Sequence, residues 1–328
     1  MPVPLPGVFD YLPGSAPAKV GSRVLVPFGK RKMVGIVTHI AAESEMPLDR
    51  LQSVEQVLDD GEALLDPAMI GLLRWCWKYY KHAPGEVVAG ALPPALRTAK
   101  GSLPQAPPQY RLTGQGRERL EAPPGRARVQ FAMLEAMRDG PALPQQLASI
   151  GSQWRKTLSA LIGQGWVDRE AQPALQAQPS PGPELTSEQA AAVSAISSAP
   201  EGFSCHLLDG VTGSGKTEVY MCLLEQVLAD GGQALVLVPE IGLTPQLLRR
   251  FTQRLGIEPA VIHSGLSAGE RLAAWESVRT GRAPLLVGTR SALFTPMPGL
   301  EIIILDEEHD ASFKQQDGFR YSARDVAV

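Results

Sequence analysis

The sequence is poor in cysteine. Cys76, Cys205 and Cys222 are its three, scattered and without a Cys-x-x-Cys pair. That spacing supports neither a disulfide framework nor a zinc site, and it makes a reducing cytoplasm the default setting. No stretch approaches the roughly eighteen uncharged apolar residues that a membrane-spanning helix needs. The opening "MPVPLPGVFDYLPG" has neither the basic leader nor the apolar run of a secretory signal. Neither charge dominates: the 328 residues carry a net charge of -3, with 44% hydrophobic and 20% charged content. A globally basic nucleic-acid binder is thereby excluded, so any DNA-facing charge must be local. Residues 1–100, 101–180 and 181–328 carry +1, +3 and -7. DNA contact is better sought in the N-terminal half, and the acidic C-terminal part suits metal-phosphate chemistry.

What is plentiful is proline, and it divides the chain. "GSLPQAPPQY" and "AQPALQAQPSPGPEL" are too poor in apolar residues to pack and read as linkers. Three modules remain, at 1–100, 107–172 and 184–328. The first opens with β-branched runs, "SRVLVPFG" and "KMVGIVTHI", split by a basic turn. It continues with a helix whose Ile70, Leu73, Trp77 and Tyr80 recur at helical spacing. The second has two amphipathic helices and the ending "LIGQGWV", the helix-to-wing corner of a winged helix. Trp154 there is either a core residue or, with Arg155 and Lys156, part of a DNA-facing helix.

The third module alternates continuous apolar runs, "ALVLVP", "PLLVG" and "EIIIL", with helical segments. That pattern predicts a parallel sheet covered on both faces, with ligands at the carboxyl ends of its strands. At one such end "LLDGVTGSGKTEVY" satisfies G-x-x-x-x-G-K-[ST], with "HLL" expected as a strand before it and a helix after it. Gly210, Val211, Thr212, Gly213, Ser214 and Gly215 form the candidate phosphate cradle, Lys216 meets the β/γ-phosphates of ATP, and Thr217 holds Mg²⁺. About ninety residues on, "IIILDEEH" ends another strand. Asp306 is placed to hold the Mg²⁺, Glu307 to deprotonate a water, and His309 completes a D-E-x-H pattern. "LTSEQ" fits a capping box, which by itself explains Thr186 and Gln189; the functional alternative has Gln189 read an adenine edge. Thr244, Thr289 and Arg290 sit at further strand ends and are candidates for phosphate contact.

Taken together, "LLDGVTGSGKTEVY", "LVPEIGLTPQ", "HSGLS", "GTRSALFTP" and "DEEHDASFKQQDGFRYSARDVAV" resemble the PriA family of bacterial primosomal replication-restart helicases (primosomal protein N prime). "VFDYLPG" and "GSRVLVPFGKRKMVGIV" resemble the same family's N-terminal module. The resemblance implies a multi-domain α/β protein: a small mixed 3′-end-binding module, a winged helix, and the first of two RecA-like P-loop lobes of a superfamily-2 helicase. It further implies an ATP- and Mg²⁺-dependent 3′-to-5′ DNA helicase, cytoplasmic and nucleoid-associated. Such a helicase binds single-stranded DNA and stalled forks with a nascent 3′ end, and works with primosome proteins and single-stranded DNA-binding protein. Phe9, Asp10, Tyr11 and Gly29 would line the pocket for the 3′ end, with Gln52 standing where a basic residue is expected and Arg50 close by. Phe313, Lys314, Phe319, Arg320 and Tyr321 would supply the stacking faces and cations of a DNA-sensing loop. A second lobe and a Zn²⁺-binding cysteine cluster are expected beyond residue 328. The other classes left open are a fork-binding module without motor activity, a generic superfamily-2 translocase, and a sequence-specific regulator built on the winged helix.

Overall fold

The computed structural model describes residues 3–104, 108–123, 127–171, 174–200, 202–211 and 213–328. The chain divides into two compact units, one formed by 1–104 together with 174–328 and the other by 105–173. The first unit begins with strands β1 (Arg23–Phe28) and β2 (Arg31–Ile36), an antiparallel pair, and the short β3 (Gln56–Val57), which adds to β1 on its other side. The β1–β2 turn has two residues, and its first, Gly29, has φ +58°. A left-handed first position is the geometry for which a hairpin turn selects glycine.

Arg23 is almost wholly buried, yet its guanidinium is saturated. It pairs with the Asp59 carboxylate (2.6 and 2.8 Å) and donates to the carbonyls of Leu96 (2.7 Å), Thr98 (3.2 Å) and Gly101 (2.7 Å). That one charge ties residues 96–101 back onto the small sheet. Helix α1 (Pro67–Tyr79) starts at Asp66, whose carboxylate accepts from the Met69 amide, with proline at its first position. It buries Met69, Ile70, Leu73 and Cys76; α2 (Pro84–Ala91) buries Val87, Val88 and Ala91.

The unit at 105–173 pairs β4 (Pro108–Leu112) antiparallel with β5 (Val167–Ala171). Between them run α3 (Gly114–Glu121), α4 (Arg128–Glu135), α5 (Pro144–Ala148) and α6 (Trp154–Gly163). Its core gathers Met133, Leu134, Leu147, Leu158, Leu161 and Val167, with Trp154 and Trp166 partly buried against it.

The chain returns to the first unit with α7 (Ser187–Ser197), α8 (Lys216–Ala229), β6 (Gln233–Leu237), α9 (Pro245–Leu255), β7 (Ala260–Ile262), α10 (Ala268–Arg279), β8 (Leu285–Gly288) and β9 (Leu300–Leu305). The hairpin of β10 (Lys314–Gln315) and β11 (Tyr321–Ser322) follows, then α11 (Ala323–Ala327). Strands β6 to β9 form a parallel sheet in the order β7-β8-β6-β9. Strands β6 and β8 are buried throughout. Their residues alternate between faces: Leu235, Leu237 and Leu286 join one core, while Ala234, Val236, Leu285 and Val287 join the core under α8 and α9. The first of these cores also contains Leu73, Cys76, Val87 and Leu96, so the N-terminal helices and the parallel sheet share one hydrophobic interior. Arg279 on α10 adds an ion pair to Glu62 at 2.7 Å.

One expected strand does not form. The segment 202–211 carries no strand, and Phe203, Leu207 and Val211 are exposed. A strand exists only when a neighbour takes up its backbone groups. Among the described residues β9 is an edge strand, and no ladder joins it to this segment. Apolar sequence alone does not supply that neighbour.

Candidate functional site

The phosphate-loop segment leads into α8, whose first residue is Lys216. Gly213 and Gly215 both have φ +82°, the left-handed region that side chains avoid. A Cβ added at Gly210 would lie 2.7 Å from Ser214 Oγ, which would have to turn away. The Lys216 ammonium donates to the carbonyls of Gly210 (2.6 Å) and Val211 (3.3 Å), so the cation lies folded over the loop. Thr212 lies outside the described residues. Gln189 has two roles at once. Its side chain closes the capping box with Thr186, the Gln189 amide donating to Thr186 Oγ1 and the Thr186 amide to Gln189 Oε1 (2.9 Å). Its Nε2 also donates to the Ser214 carbonyl at 3.0 Å, which brings the α7 start onto the loop.

One turn into α8, Tyr220 connects the loop to the acidic box. Its hydroxyl donates to Asp306 Oδ2 at 3.4 Å and also meets the Thr217 side chain. Thr217 and Asp306, the two residues read as Mg²⁺ holders, therefore share one buried neighbour that the sequence reading missed. The available signal was spacing, since Tyr220 is three residues after Thr217 on one helix face. Burial pushes the Tyr220 phenol up to about 12. Asp306 follows directly from β9, its amide bonded to the Leu237 carbonyl. Desolvation first and the Glu307 charge second hold its carboxyl above the usual aspartate range. Glu307 has φ +51°, a left-handed conformation that costs a side-chain-bearing residue energy and re-aims its carboxylate. His309 is exposed, with Nε2 3.8 Å from Glu307.

These groups fit a magnesium-nucleotide. A glycine cradle opens onto a helix N-terminus, a lysine stands at its mouth, and a hydroxyl and a carboxylate are brought together by Tyr220.

The loop after the acidic box departs from expectation. Phe313, Phe319 and Tyr321 are buried, Phe319 being only 8% exposed, so the faces expected to stack on a strand are covered by protein. Phe319 stacks on Tyr321 (4.9 Å between centroids) and lies against Phe294, Tyr80 and His82. His82 Nε2 is 2.9 Å from the Gly318 carbonyl, and the Tyr80 hydroxyl accepts from the Ser322 amide at 3.2 Å. Lys314 and Arg320 remain exposed. Arg290 is committed to the same loop, donating to Gln315 Oε1 and to the Ser312 carbonyl, both at 2.7 Å. Thr289 is buried, which removes its hydroxyl from any phosphate, and the exposed Thr244 caps α9 by accepting from the Leu247 amide.

At the N-terminal sheet, Phe9 and Tyr11 converge on the end of β1. The Phe9 ring meets Phe28 edge-on at 5.2 Å, and the Tyr11 hydroxyl donates to the Pro27 carbonyl at 2.8 Å. Phe9 stays 41% exposed. Asp10 accepts from the Ser44 hydroxyl at 2.5 Å, and nothing would obstruct a Cβ at Gly29. The Gln52 backbone pairs with this segment through the Leu12 amide, while the Gln52 and Arg50 side chains are exposed.

Comparison with known proteins matches residues 1–93 to the family described as 3'DNA-binding domain (3'BD) and residues 186–327 to the DEAD/DEAH box helicase family. The replication restart protein PriA of Haemophilus influenzae is 39% identical over 340 residues, covering 99% of this chain and 46% of that protein. The proteins of that name from Synechocystis and Bacillus subtilis are 32% and 31% identical, covering 98% and 97% of this chain and 48% of each relative. The chain thus spans about half the length of these relatives.

Proposed function

As the chain belongs to the PriA family of replication restart proteins and matches its N-terminal portion, we propose that it carries the fork-binding and ATP-binding parts of an ATP-dependent 3′-to-5′ DNA helicase. That helicase recognises abandoned replication forks and starts primosome assembly. The parts are a 3′-end-binding module at 1–100, a winged helix at 107–172, and the first RecA-like lobe at 184–328. The observation that carries the catalytic half is the Tyr220 hydroxyl between Thr217 and Asp306, which unites the phosphate loop with the acidic box. Support for the winged helix is the β4–β5 pair closing α3 to α6, with Gly165 at φ +71° where α6 turns into β5.

In this reading Lys216 leaves the loop carbonyls to meet the β/γ-phosphates of ATP, and the amides at the start of α8 take their charge. Thr217 and Asp306 hold Mg²⁺, which when bound neutralises charge on the phosphates. Glu307 accepts the proton of the attacking water, and His309 orients Glu307 from the solvent side. Gln189 fixes the loop through Ser214. A second lobe, supplied by the rest of the protein, adds the arginine that turnover needs. The isolated chain is accordingly expected to hold nucleotide with little hydrolysis. Zn²⁺, primosome proteins and single-stranded DNA-binding protein belong to that remaining half or to the assembled complex, in a bacterial cytoplasm near the nucleoid.

At the N-terminal sheet, Phe9 gives a base its exposed face, Asp10 accepts from the terminal 3′ hydroxyl, Tyr11 fixes the pocket wall, and Gly29 allows close approach. Lys314, Arg320 and Thr244 are the exposed candidates for phosphate contact elsewhere. Fluorescence anisotropy on a model fork tests the DNA half, comparing a free 3′ hydroxyl with a 3′ phosphate. Tighter binding to the hydroxyl, lost in Asp10→Ala, is expected; equal binding to both ends would sink the 3′-end assignment. For the nucleotide half, a fluorescent ATP analogue with Mg²⁺ is expected to bind wild type and to lose most of its affinity in Lys216→Ala.

A further inference from the structure

The turn between β1 and β2 carries charge as well as direction. Gly29 and Lys30 are its two residues and Arg31 and Lys32 open β2, so three cations follow one another at the hairpin tip. They are not equivalent. Lys32, opposite Pro27, pairs with Glu55 at 2.7 Å and is neutralised there. Lys30 and Arg31 are exposed, and among the described residues neither side chain forms an ion pair or a hydrogen bond. Register fixes where Arg31 points. It stands directly opposite Phe28, and residues opposite each other in an antiparallel ladder send their side chains to the same face. Phe28 is the residue whose ring meets Phe9 edge-on at 5.2 Å. The Arg31 stem therefore rises on the face where Phe9 lies, with Lys30 one residue further out. The acidic group of the same site is Asp10, bound to the Ser44 hydroxyl at 2.5 Å. Gln52, whose carbonyl receives the Leu12 amide, brings no charge.

We propose that the β1–β2 tip is a phosphate clamp for the DNA strand whose 3′ end enters the neighbouring pocket, Arg31 holding the linkage next to the terminal nucleotide and Lys30 the linkage before it. The proposal rests on the 3′-end reading above and adds its charged half. A strand end is electrically asymmetric, because the terminal sugar offers a neutral hydroxyl while each linkage behind it carries a negative charge. A carboxylate with cations beside it matches that asymmetry. Asp10 repels a phosphate and accepts from a hydroxyl, whereas the guanidinium and the ammonium hold linkages without reading sequence. The Arg31 fork can take two oxygens of one phosphate, and Lys30 acts as a point charge. Neither cation gives up an ion pair to do so. Charge on an edge strand also discourages unwanted strand pairing, and β2 is an edge in the order β2-β1-β3. Lys32 serves that purpose on the ladder, but Lys30 lies in the turn, where no added strand would pair.

The test is anisotropy of the whole chain with 5′-fluorescein oligothymidines of one length that end in a 3′ hydroxyl. In one probe the last two linkages are replaced by uncharged methylphosphonates, and in another two linkages near the 5′ end are replaced instead. Wild type is expected to bind the first about five-fold or more weakly than the second. Lys30→Ala/Arg31→Ala is expected to bind both alike, and its plot of log affinity against log salt should be shallower by about 1.4, at about 0.7 per single-strand phosphate. Arg31→Lys should keep most of the slope, and circular-dichroism melting checks each fold. If wild type prefers a 3′ hydroxyl to a 3′ phosphate while the double variant keeps both affinity and slope, the clamp is wrong and the 3′-end reading stands. Equal losses of wild-type affinity on the two methylphosphonate probes would reduce the tip to a diffuse positive field and overturn the clamp. So would a loss in Arg50→Ala, exposed in the same module, as large as that in the double variant. Indifference of wild type to hydroxyl against phosphate would overturn the 3′-end reading and the clamp together.

Discussion

Two sets of aromatic residues in this chain share one sequence signature, an aromatic beside a charge in a short connecting segment, and end in opposite environments. Phe9 stays open beside a three-stranded sheet, its ring meeting Phe28 edge-on. Phe313, Phe319 and Tyr321 are buried in one core, Phe319 against Tyr80, His82 and Phe294 and Tyr321 against Phe294. What separates them is a partner some 240 residues away in sequence, the end of α1, which converts a loop that looks like a binding surface into the lid of a core. An aromatic near a functional motif is thus a ligand-facing group only where no other part of the fold has claimed its faces.

The comparison can be broken in four ways. The largest expected contrast is in thiol reactivity. Cys76 lies in the same core as Phe319, and burial pushes its thiol up to about 12, whereas Cys205 is exposed. A small aromatic disulfide reagent at neutral pH is expected to label Cys205 at least about a thousand-fold faster than Cys76, which reacts only through unfolding. Comparable rates would show the core to be open. Next comes stability: Phe319→Ala is expected to cost about 3–5 kcal/mol in urea denaturation, as removal of a buried phenylalanine does. Phe9→Ala should stay within about 0.5 kcal/mol while weakening binding to the fork end. Equal costs would erase the distinction between the two sets.

Tyr80→Phe tests the link itself. It keeps the ring contacts and removes the acceptor of the Ser322 amide, for an expected loss of about 1 kcal/mol and faster amide exchange at Ser322. The smallest effect concerns Asp306. Its carboxyl titrates above the ordinary aspartate range, so the folded state holds that proton more tightly than the unfolded state. The contribution to stability is full below the ordinary aspartate range and is lost as pH rises through the folded value. Asp306→Asn is therefore expected to raise the melting temperature slightly at neutral pH and to lose that gain in acid. An unchanged or lower melting temperature at neutral pH would mean that the desolvated charge is compensated in full.

The geometry of the candidate nucleotide half was legible because it is local. Gly213 and Gly215 carry the left-handed backbone, Lys216 opens one helix and Asp306 follows the end of one strand, so their spacing in sequence is their spacing in the fold. The alternation of β6 and β8 between two cores was legible for the same reason. Tyr220 as the common neighbour of Thr217 and Asp306 was not, because the contact joins a helix to a strand end 86 residues away. Nor was the exposure of Phe203, Leu207 and Val211, since strand formation depends on a neighbour as much as on composition.

By itself, then, the amino-acid sequence determined the parallel α/β layer, the phosphate loop, the acidic box and the hairpin at Gly29, all set by interactions over a few residues or by the periodicity of side chains. Only the tertiary structure decided which aromatics face solvent, that Arg290 serves the loop, and that the N-terminal helices share a core with the parallel sheet. Burial and pairing are properties of two surfaces meeting, and a sequence displays each surface without its counterpart.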